Sequence, residues 1–194
     1  MRIIRAHDCR TTLWKNGGGS TTEIAVAPEG ASLETFDWRI SMARVACDGP
    51  FSEFSGIDRS LAVVEGRGML LTVGSNPAVM LSRGADPVSF AGDTPTSARL
   101  TDGEIIDLNV MTRRGSFSHH LRRISDPTSH DFADDDIAIV VSFNGSTTMT
   151  SKRDTVTLND GDAFVVDRSD TVDFEILPGT GECYLVLLRK HRVR

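Results

Sequence analysis

Apolar and polar residues alternate along short segments that are distributed over the whole chain. The segment 38–43 alternates Trp, Ile and Met with Arg, Ser and Ala, and the segment 105–111 repeats this alternation. The run 61–64 is continuously apolar, ends in a turn over 65–68 that contains two glycines, and is followed by an apolar stretch at 69–73. Alternation with a period of two, bounded by turn residues, is typical of β-strands.

Further strands are predicted in the second half of the chain, at 137–143, 164–166 and 184–188. Gly, Pro, Asn and Asp separate the strands, and no segment shows a sustained helical period with capping residues. The pattern therefore predicts an all-β protein, a sandwich or a barrel, with few and short helices.

A weak internal repeat indicates two related barrels in one chain. Gly92-Asp93 follows the first group of strands, and Gly161-Asp162 occupies the matching place in the second group. A Gly-Asp turn before a strand is common, but its recurrence predicts a first barrel over 1–114, a connector over 115–133 and a second barrel over 134–194. The N-terminal strands can exchange into the sheet of the second barrel.

Composition and charge exclude some classes of binding partner for this chain. The chain has 194 residues, of which 39% are hydrophobic and 25% charged, and its net charge is −6. An acidic chain without basic clusters lacks the cationic face that nucleic acid or an anionic membrane requires, so neither is an expected partner. The sequence shows neither an apolar run long enough to span a membrane nor a secretory signal. Three widely spaced cysteines predict reduced thiols and a cytoplasmic location.

The segment 50–71 resembles the first sequence motif of the cupins, whose barrel is a double-stranded β-helix. In that motif a strand ends in a Val-Leu-Glu-Gly turn, and here the turn reads Val-Val-Glu-Gly at 63–66. Metal-binding cupins carry two His and a Glu just upstream. In this chain Arg59 stands at the position of that Glu, and the block contains no His. The pair His119-His120 is the alternative metal site, but neighbouring strand residues face opposite sides. We therefore expect no metal and no other cofactor.

Four longer motifs resemble the HutD/Ves family. In chain order they read WKNGGGSTTEI at 14–24, FDWRISMARV at 36–45, DGPFSEFSGIDRSLAVVEGRGMLL at 48–71 and DLNVMTRRG at 107–115. The resemblance implies a bicupin of the bacterial cytoplasm that is linked to histidine utilisation and tempers that pathway by binding a metabolite. It attaches no catalysed reaction to the chain.

The glycine run at 17–19 allows two interpretations. It forms either a flexible loop before the first strand or a ligand-facing loop whose backbone N–H groups make a nest for an anion. The family resemblance lies in this stretch, and it favours the ligand-facing interpretation. The candidate ligand contacts in this loop are Trp14, Lys15, Asn16, Gly17, Gly18 and Gly19.

Arg59 is the second candidate contact, because its planar guanidinium suits a carboxylate held by two parallel hydrogen bonds. The alternative is a structural ion pair with Asp58, Glu53 or Asp107. The acid ligands that the resemblance implies favour the ligand role.

The remaining candidates share strand faces with one another. Asn109 lies on the same face of its strand as Asp107, a face directed either to solvent or into a barrel cavity. Asp107 is expected to hold Arg59 or Arg39 in place. Glu23 either contacts the ligand or pairs with Lys15 or Arg39.

The expected function is the binding of a small carboxylate such as formate, urocanate or a formylated amino acid. The alternative is a metal-independent isomerase or hydrolase that acts on a small organic acid. No catalytic residue is assigned, because no His falls in a predicted barrel strand and the only Tyr lies in a hydrophobic one. A homodimer is expected, since exposed strand edges invite pairing.

Overall fold

The computed structural model describes residues 1–130, 132, 134–151, 154–170 and 173–192. These residues form almost only β-strands, with two short 3₁₀ helices at Ala6–Asp8 and Arg168–Asp170. The prediction of an all-β protein with few and short helices is confirmed. Within the described ranges, no helix is long and apolar enough to cross a membrane.

The strands are, in chain order, β1 (Arg2–Ile4), β2 (Arg10–Leu13), β3 (Gly19–Ala27), β4 (Trp38–Val45), β5 (Gly49–Pro50), β6 (Ile57–Glu65), β7 (Met69–Val73), β8 (Val79–Leu81), β9 (Val88–Ala91), β10 (Thr96–Leu100), β11 (Ile105–Arg113), β12 (Phe117–Ile124), β13 (Thr128–His130), β14 (Ile137–Phe143), β15 (Thr147–Ser151), β16 (Thr155–Leu158), β17 (Ala163–Asp167), β18 (Phe174–Pro178) and β19 (Glu182–Lys190). The segments predicted at 69–73 and 137–143 coincide with β7 and β14, because both are apolar runs closed by glycine turns.

The chain divides into two compact units. The first unit comprises Arg10–Ser118, and the second unit comprises Met1–Cys9 together with His119–Arg194. The second unit is discontinuous because β1 pairs with β17, with Ile3 opposite Phe164. The range 115–133, which the sequence suggested as a connector, contains the strands β12 and β13.

Each unit contains two antiparallel sheets. The first unit has a six-stranded sheet in the order β2-β3-β4-β11-β6-β9 and a four-stranded sheet in the order β5-β10-β7-β8. The second unit has a five-stranded sheet, β1-β17-β14-β19-β12, and a four-stranded sheet, β13-β18-β15-β16. Each sheet keeps two edge strands, so hydrogen bonding between the described strands does not close either unit into a continuous barrel.

The core of the first unit lies between its two sheets. Leu61 and Val63 of β6 are fully buried and pack in one cluster with Met69 and Leu71 of β7 and Leu81 of β8. The side of the six-stranded sheet that faces this cluster is called the inner face below. Because β-strand side chains alternate between faces, this packing decides which residues of β4, β6 and β11 point inward.

Candidate functional site

The glycine run forms the tight turn between β2 and β3. The N–H of Trp14 donates to the carbonyl of Gly19 at 3.0 Å, and the N–H of Gly17 donates to the carbonyl of Trp14 at 3.1 Å. The N–H of Gly18 donates to Asn16 Oδ1 at 3.0 Å. The N–H groups of Gly17 and Gly18 are therefore used inside the turn, while Lys15 and Asn16 are exposed.

The structure requires glycine at 19 for close packing. A Cβ on Gly19 would lie 2.0 Å from the carbonyl oxygen of Arg44, and one on Gly18 would lie 2.7 Å from Cys47 Sγ. At Gly19 the contact is with a backbone atom, so the backbone would have to move, whereas at Gly18 a shift of the Cys47 side chain could relieve the contact. At Gly17 the constraint is conformational, because its φ of +72° is rarely adopted by other residues.

Trp14 links the turn to the interior of the first unit. Its indole N–H donates to Thr21 Oγ1 at 2.8 Å. Its ring packs against the apolar cluster that contains Leu61 and Val63. Of the loop residues selected from the sequence, Trp14 is the one that the structure ties to the inner face.

The strand register gathers the other candidates on the same inner face. Asn109 of β11 lies opposite Ser41 of β4 and Leu61 of β6, and Ser41 lies opposite Glu23 of β3. Residues directly opposite each other in antiparallel strands direct their side chains to the same side. The polar cluster of the inner face consists of Thr21, Glu23, Arg39, Ser41, Arg59, Asp107 and Asn109.

Arg59 is the most buried cation of this cluster, with 4% of its surface exposed. Its Nε donates to Asn109 Oδ1 at 3.5 Å, and its Nη1 donates to the carbonyl of Ser52 at 3.3 Å. Both are long hydrogen bonds, and Nη2 has no acceptor among the described residues. Within the described ranges Arg59 forms no ion pair, and Asp58 instead pairs with Arg114 at 2.6 Å.

Aromatic rings enclose the guanidinium of Arg59. Its Cζ lies 5.2 Å from the ring centroid of Phe51, 5.5 Å from that of Phe54 and 5.4 Å from that of Phe90. These distances are within the range of cation–π attraction. These three rings were not among the site residues predicted from the sequence. The available signal was the spacing of two Phe around Glu53, shortly before the predicted strand.

Burial lowers the pKa of Arg59 without removing its positive charge. Desolvation lowers its pKa to about 10, and the neighbouring Arg39 lowers it further, while Asp107 opposes the change. A pKa of about 10 leaves the guanidinium protonated at neutral pH. The site therefore holds a buried positive charge without a protein counter-ion at hydrogen-bond distance.

Asp107 is the second unusual group of the inner face. It is 1% exposed, and neither carboxylate oxygen has a hydrogen-bond partner in the described part of the chain. The direct pairing with Arg59 or Arg39 that the sequence suggested is not observed. Burial raises the pKa of Asp107 to about 7, and the attraction of Arg59 opposes that rise.

Arg39 and Glu23 form an ion pair at the β3–β4 side of the cluster. Arg39 Nε donates to Glu23 Oε2 at 2.8 Å, and Arg39 Nη1 donates to Ser41 Oγ at 3.3 Å. Of the two pairings predicted for Glu23, with Lys15 or with Arg39, the structure shows the one with Arg39. Arg39 therefore has a counter-ion, in contrast to Arg59.

The polar cluster does not fit a metal ion. Glu23 is bonded to Arg39, and a cation on this face would be repelled by the buried guanidinium of Arg59. Among the described residues, no three His, Cys, Asp or Glu side chains converge as metal ligands.

A surface cavity of the first unit shares one residue with the aromatic rings of the Arg59 site. Its volume is about 350 Å³, and its walls include Leu71, Val73, Val88 and Phe90. Phe90 belongs both to this cavity and to the ring set around Arg59.

Comparison with known proteins gives one family match. The HutD family model matches residues 6–185. An uncharacterised 21.2 kDa protein from the hutC 3′ region of Pseudomonas putida is 38% identical over 111 residues, or 57% of each chain. Protein Ves of Citrobacter koseri is 40% identical over 103 residues, which cover 53% of this chain and 52% of Ves. The chain thus matches little more than half the length of these curated relatives.

Two solved structures define the fold. HutD from Pseudomonas fluorescens SBW25, solved in a formate condition, has a TM-score of 0.84 and 30% identity, covering 98% of this chain and 99% of that chain. A cupin 2 conserved barrel domain protein from Leptotrichia buccalis has a TM-score of 0.54 at 12% identity, covering 94% of this chain and 89% of that chain. The second likeness bears on the fold alone, and the fold is cupin-like.

Proposed function

This chain belongs to the HutD family, and from that premise we propose that its first unit binds a small carboxylate at Arg59. The family is linked to the histidine-utilisation region, so the proposed ligands are formate, urocanate or a formylated amino acid. Binding such an acid would let the protein modulate histidine utilisation without catalysing a reaction.

The observation that carries this proposal is the unpaired charge of Arg59. Burying a charged group is costly unless a partner compensates it. Arg59 keeps its charge at neutral pH, yet its protein acceptors are one amide oxygen and one carbonyl oxygen, both at 3.3 Å or more. A carboxylate supplied by a ligand would provide the missing counter-ion.

The surroundings of Arg59 support a carboxylate in particular. A guanidinium presents parallel N–H groups that match the two oxygens of a carboxylate. The three phenylalanine rings exclude water, which strengthens a charge-assisted hydrogen bond. Asn109 offers an amide beside the guanidinium. In this proposal the loop from Lys15 to Gly19 closes over the ligand, with Trp14 as one wall.

The direct test is calorimetry with formate, trans-urocanate and N-formylglycine. A charge-assisted pair contributes about 1.5–3 kcal/mol, so Arg59→Ala should weaken binding of the acid roughly 10- to 100-fold. Arg59→Lys should weaken it by a smaller factor, because a point ammonium lacks the fork geometry. Arg99→Ala, which removes an exposed guanidinium on β10, is the matched control. Equal binding by wild type and Arg59→Ala would show that the site is elsewhere.

The assembly and organisation are also proposals. We infer that the two units are the two barrels of a bicupin and that the protein is a cytoplasmic homodimer. The edge strand β8 carries Val79 and Met80, which are 49% and 48% exposed. Such an edge favours pairing between copies. Light scattering that gives the mass of a single chain at all micromolar concentrations would refute the dimer.

One observation favours the alternative of a metal-independent enzyme on a small organic acid. A carboxyl group with a pKa of about 7, such as Asp107, is suited to general acid–base catalysis at neutral pH. NMR spectra of each acid incubated with the protein would separate the two functions. New product resonances that are absent with Asp107→Asn would establish the enzyme.

A further inference from the structure

The unpartnered carboxylate of Asp107 needs a physical explanation. Buried polar side chains in folded proteins almost always have hydrogen-bond partners, and a buried acceptor without one destabilises the fold. Both oxygens of Asp107 lack a partner within the described residues. Asp107 is therefore a candidate for hydrogen bonding to a bound small molecule.

The two residues directly opposite Asp107 have no side-chain hydrogen-bond donor. Across the flanking strands it lies opposite Ala43 of β4 and Val63 of β6. The apolar cluster over this face includes Met69, Leu71, Leu81 and Ala98 of the four-stranded sheet. Ser41 and Asn109 share this face, but no described residue donates a hydrogen bond to either oxygen of Asp107.

The strand register places Asp107 at a fixed spacing from Arg59. Arg59 lies opposite Met111, and its side chain reaches back along β11 to Asn109 Oδ1 at 3.5 Å. Asn109 and Asp107 are two residues apart on one face, a spacing of roughly 6.6 Å along a strand. No hydrogen bond joins the guanidinium to the carboxylate, yet each shifts the pKa of the other, so the two groups are close enough for one small molecule to contact both.

The charges on this face fit such a molecule. Arg59 is the cation without a counter-ion, whereas Arg39 is bonded to Glu23. Asp107 is the carboxylate without a partner. An acid whose carboxylate meets Arg59 and whose opposite end carries an N–H donor would satisfy both groups at once. A simple acid such as formate would satisfy only Arg59.

We propose that Asp107 is a specificity-determining residue that accepts a hydrogen bond from the ligand and selects carboxylates bearing an N–H donor. This inference rests on the proposed binding of a carboxylate at Arg59. It adds the substrate class: a small acid whose N–H group lies several ångströms from its carboxylate. Acids of the same shape without the donor leave Asp107 unsatisfied and bind more weakly.

The test compares two acids of matched shape on the wild-type protein by calorimetry. trans-3-(Pyrrol-2-yl)acrylate carries a ring N–H, and trans-3-(furan-2-yl)acrylate has a ring oxygen in its place. At pH 8.5 most Asp107 is ionised and cannot donate to the furan oxygen. The pyrrole acid should bind at least about tenfold more tightly, the factor expected for a hydrogen bond to a charged group.

Variants of Asp107 then test whether this residue causes the tighter binding of the pyrrole acid. In Asp107→Leu, which removes both acceptor oxygens, the two acids should bind alike; in Asp107→Asn, which keeps one acceptor, the preference should shrink. Asp86→Asn removes an exposed carboxylate and should leave the preference unchanged. The wild-type comparison needs no variant, so a poorly folded Asp107→Leu would not prevent the test.

The outcomes separate this inference from the proposed function. If both acids bind wild type with equal affinity and Arg59→Ala loses both, the carboxylate site stands and the role of Asp107 is refuted. If neither acid binds wild type, both proposals fail. If Asp107→Asn and Asp107→Leu both keep the full preference for the pyrrole acid, another group binds its N–H donor and the inference is wrong.

Discussion

Replacing Asp107 by Asn should remove a large part of the pH dependence of stability. The pKa of Asp107 in the folded protein is raised to about 7 from an ordinary value of 3.8, mainly because burial disfavours the charged form. Between these values the folded protein keeps a proton that the unfolded chain releases. The stabilisation from this proton is therefore complete below about pH 4 and is lost as the pH rises through 7.

The size of the effect follows from the two pKa values. A pKa difference of about 3 corresponds to about 4 kcal/mol in the free energy of unfolding. The attraction of Arg59 is already contained in the value for the folded protein, because it lowers the pKa of Asp107. Asn has nearly the shape of a protonated Asp and does not titrate. The stability of Asp107→Asn relative to wild type should thus increase by roughly 3–4 kcal/mol from pH 4 to pH 8.

Denaturant unfolding followed by tryptophan fluorescence would measure this difference in the absence of added acids. Other carboxylates titrate in both proteins, so their contributions cancel when the two curves are subtracted. Asp86→Asn serves as the control, because Asp86 is exposed, and its curve should run parallel to that of wild type. A stability difference between Asp107→Asn and wild type that stays constant from pH 4 to pH 8 would refute the assignment of a buried, unpaired carboxylate.

Three further predictions concern other parts of the chain. Gly19→Ala should destabilise the protein by several kcal/mol in thermal or urea unfolding, since its Cβ would lie 2.0 Å from a backbone oxygen. The Cβ of Gly17→Ala would meet no atom within 4 Å, so this variant should lose only about 1 kcal/mol of stability. Equal losses in the two variants would contradict the close packing at Gly19. Arg114 holds the pKa of Asp93 at about 2 through hydrogen bonds, so NMR titration of Arg114→Ala should find that pKa raised toward its ordinary value. Burial raises the pKa of Cys183 to about 11, so a thiol reagent at pH 8 should label the exposed Cys47 and leave Cys183 unmodified until the protein unfolds; rapid labelling of both would contradict this packing.

Local patterns were sufficient to identify the main strands. Alternation at 38–43 and 105–111 predicted β4 and β11, because a strand that packs on one side must repeat its side chains every two residues. No segment repeats its apolar residues with the helical period of 3.6, and this absence predicted an all-β protein. The polar strand β12 was missed, since its sequence FSHHLRRI has too few apolar residues to stand out from a loop.

The direction of each strand face was decided by the tertiary structure. Asp107 and Asn109 alternate with Ile106 and Leu108, a pattern that equally fits a face directed to solvent. In the folded chain both sides of β11 are covered, so Leu108 is fully buried and Asp107 is 1% exposed. Likewise, β1 pairs with β17 across most of the chain length, a contact that no local pattern can specify.

The residue types of the site were visible in the sequence, but their pairing was not. Arg59 stood out because a cation replaced the expected Glu of a cupin motif, and Glu23 was one of several acids that could meet Arg39. Only the register of β3, β4, β11 and β6 joins Glu23 to Arg39 and leaves Arg59 and Asp107 apart. Ion pairing depends on distances between strands that are remote in sequence, and those distances exist only once the sheet has formed.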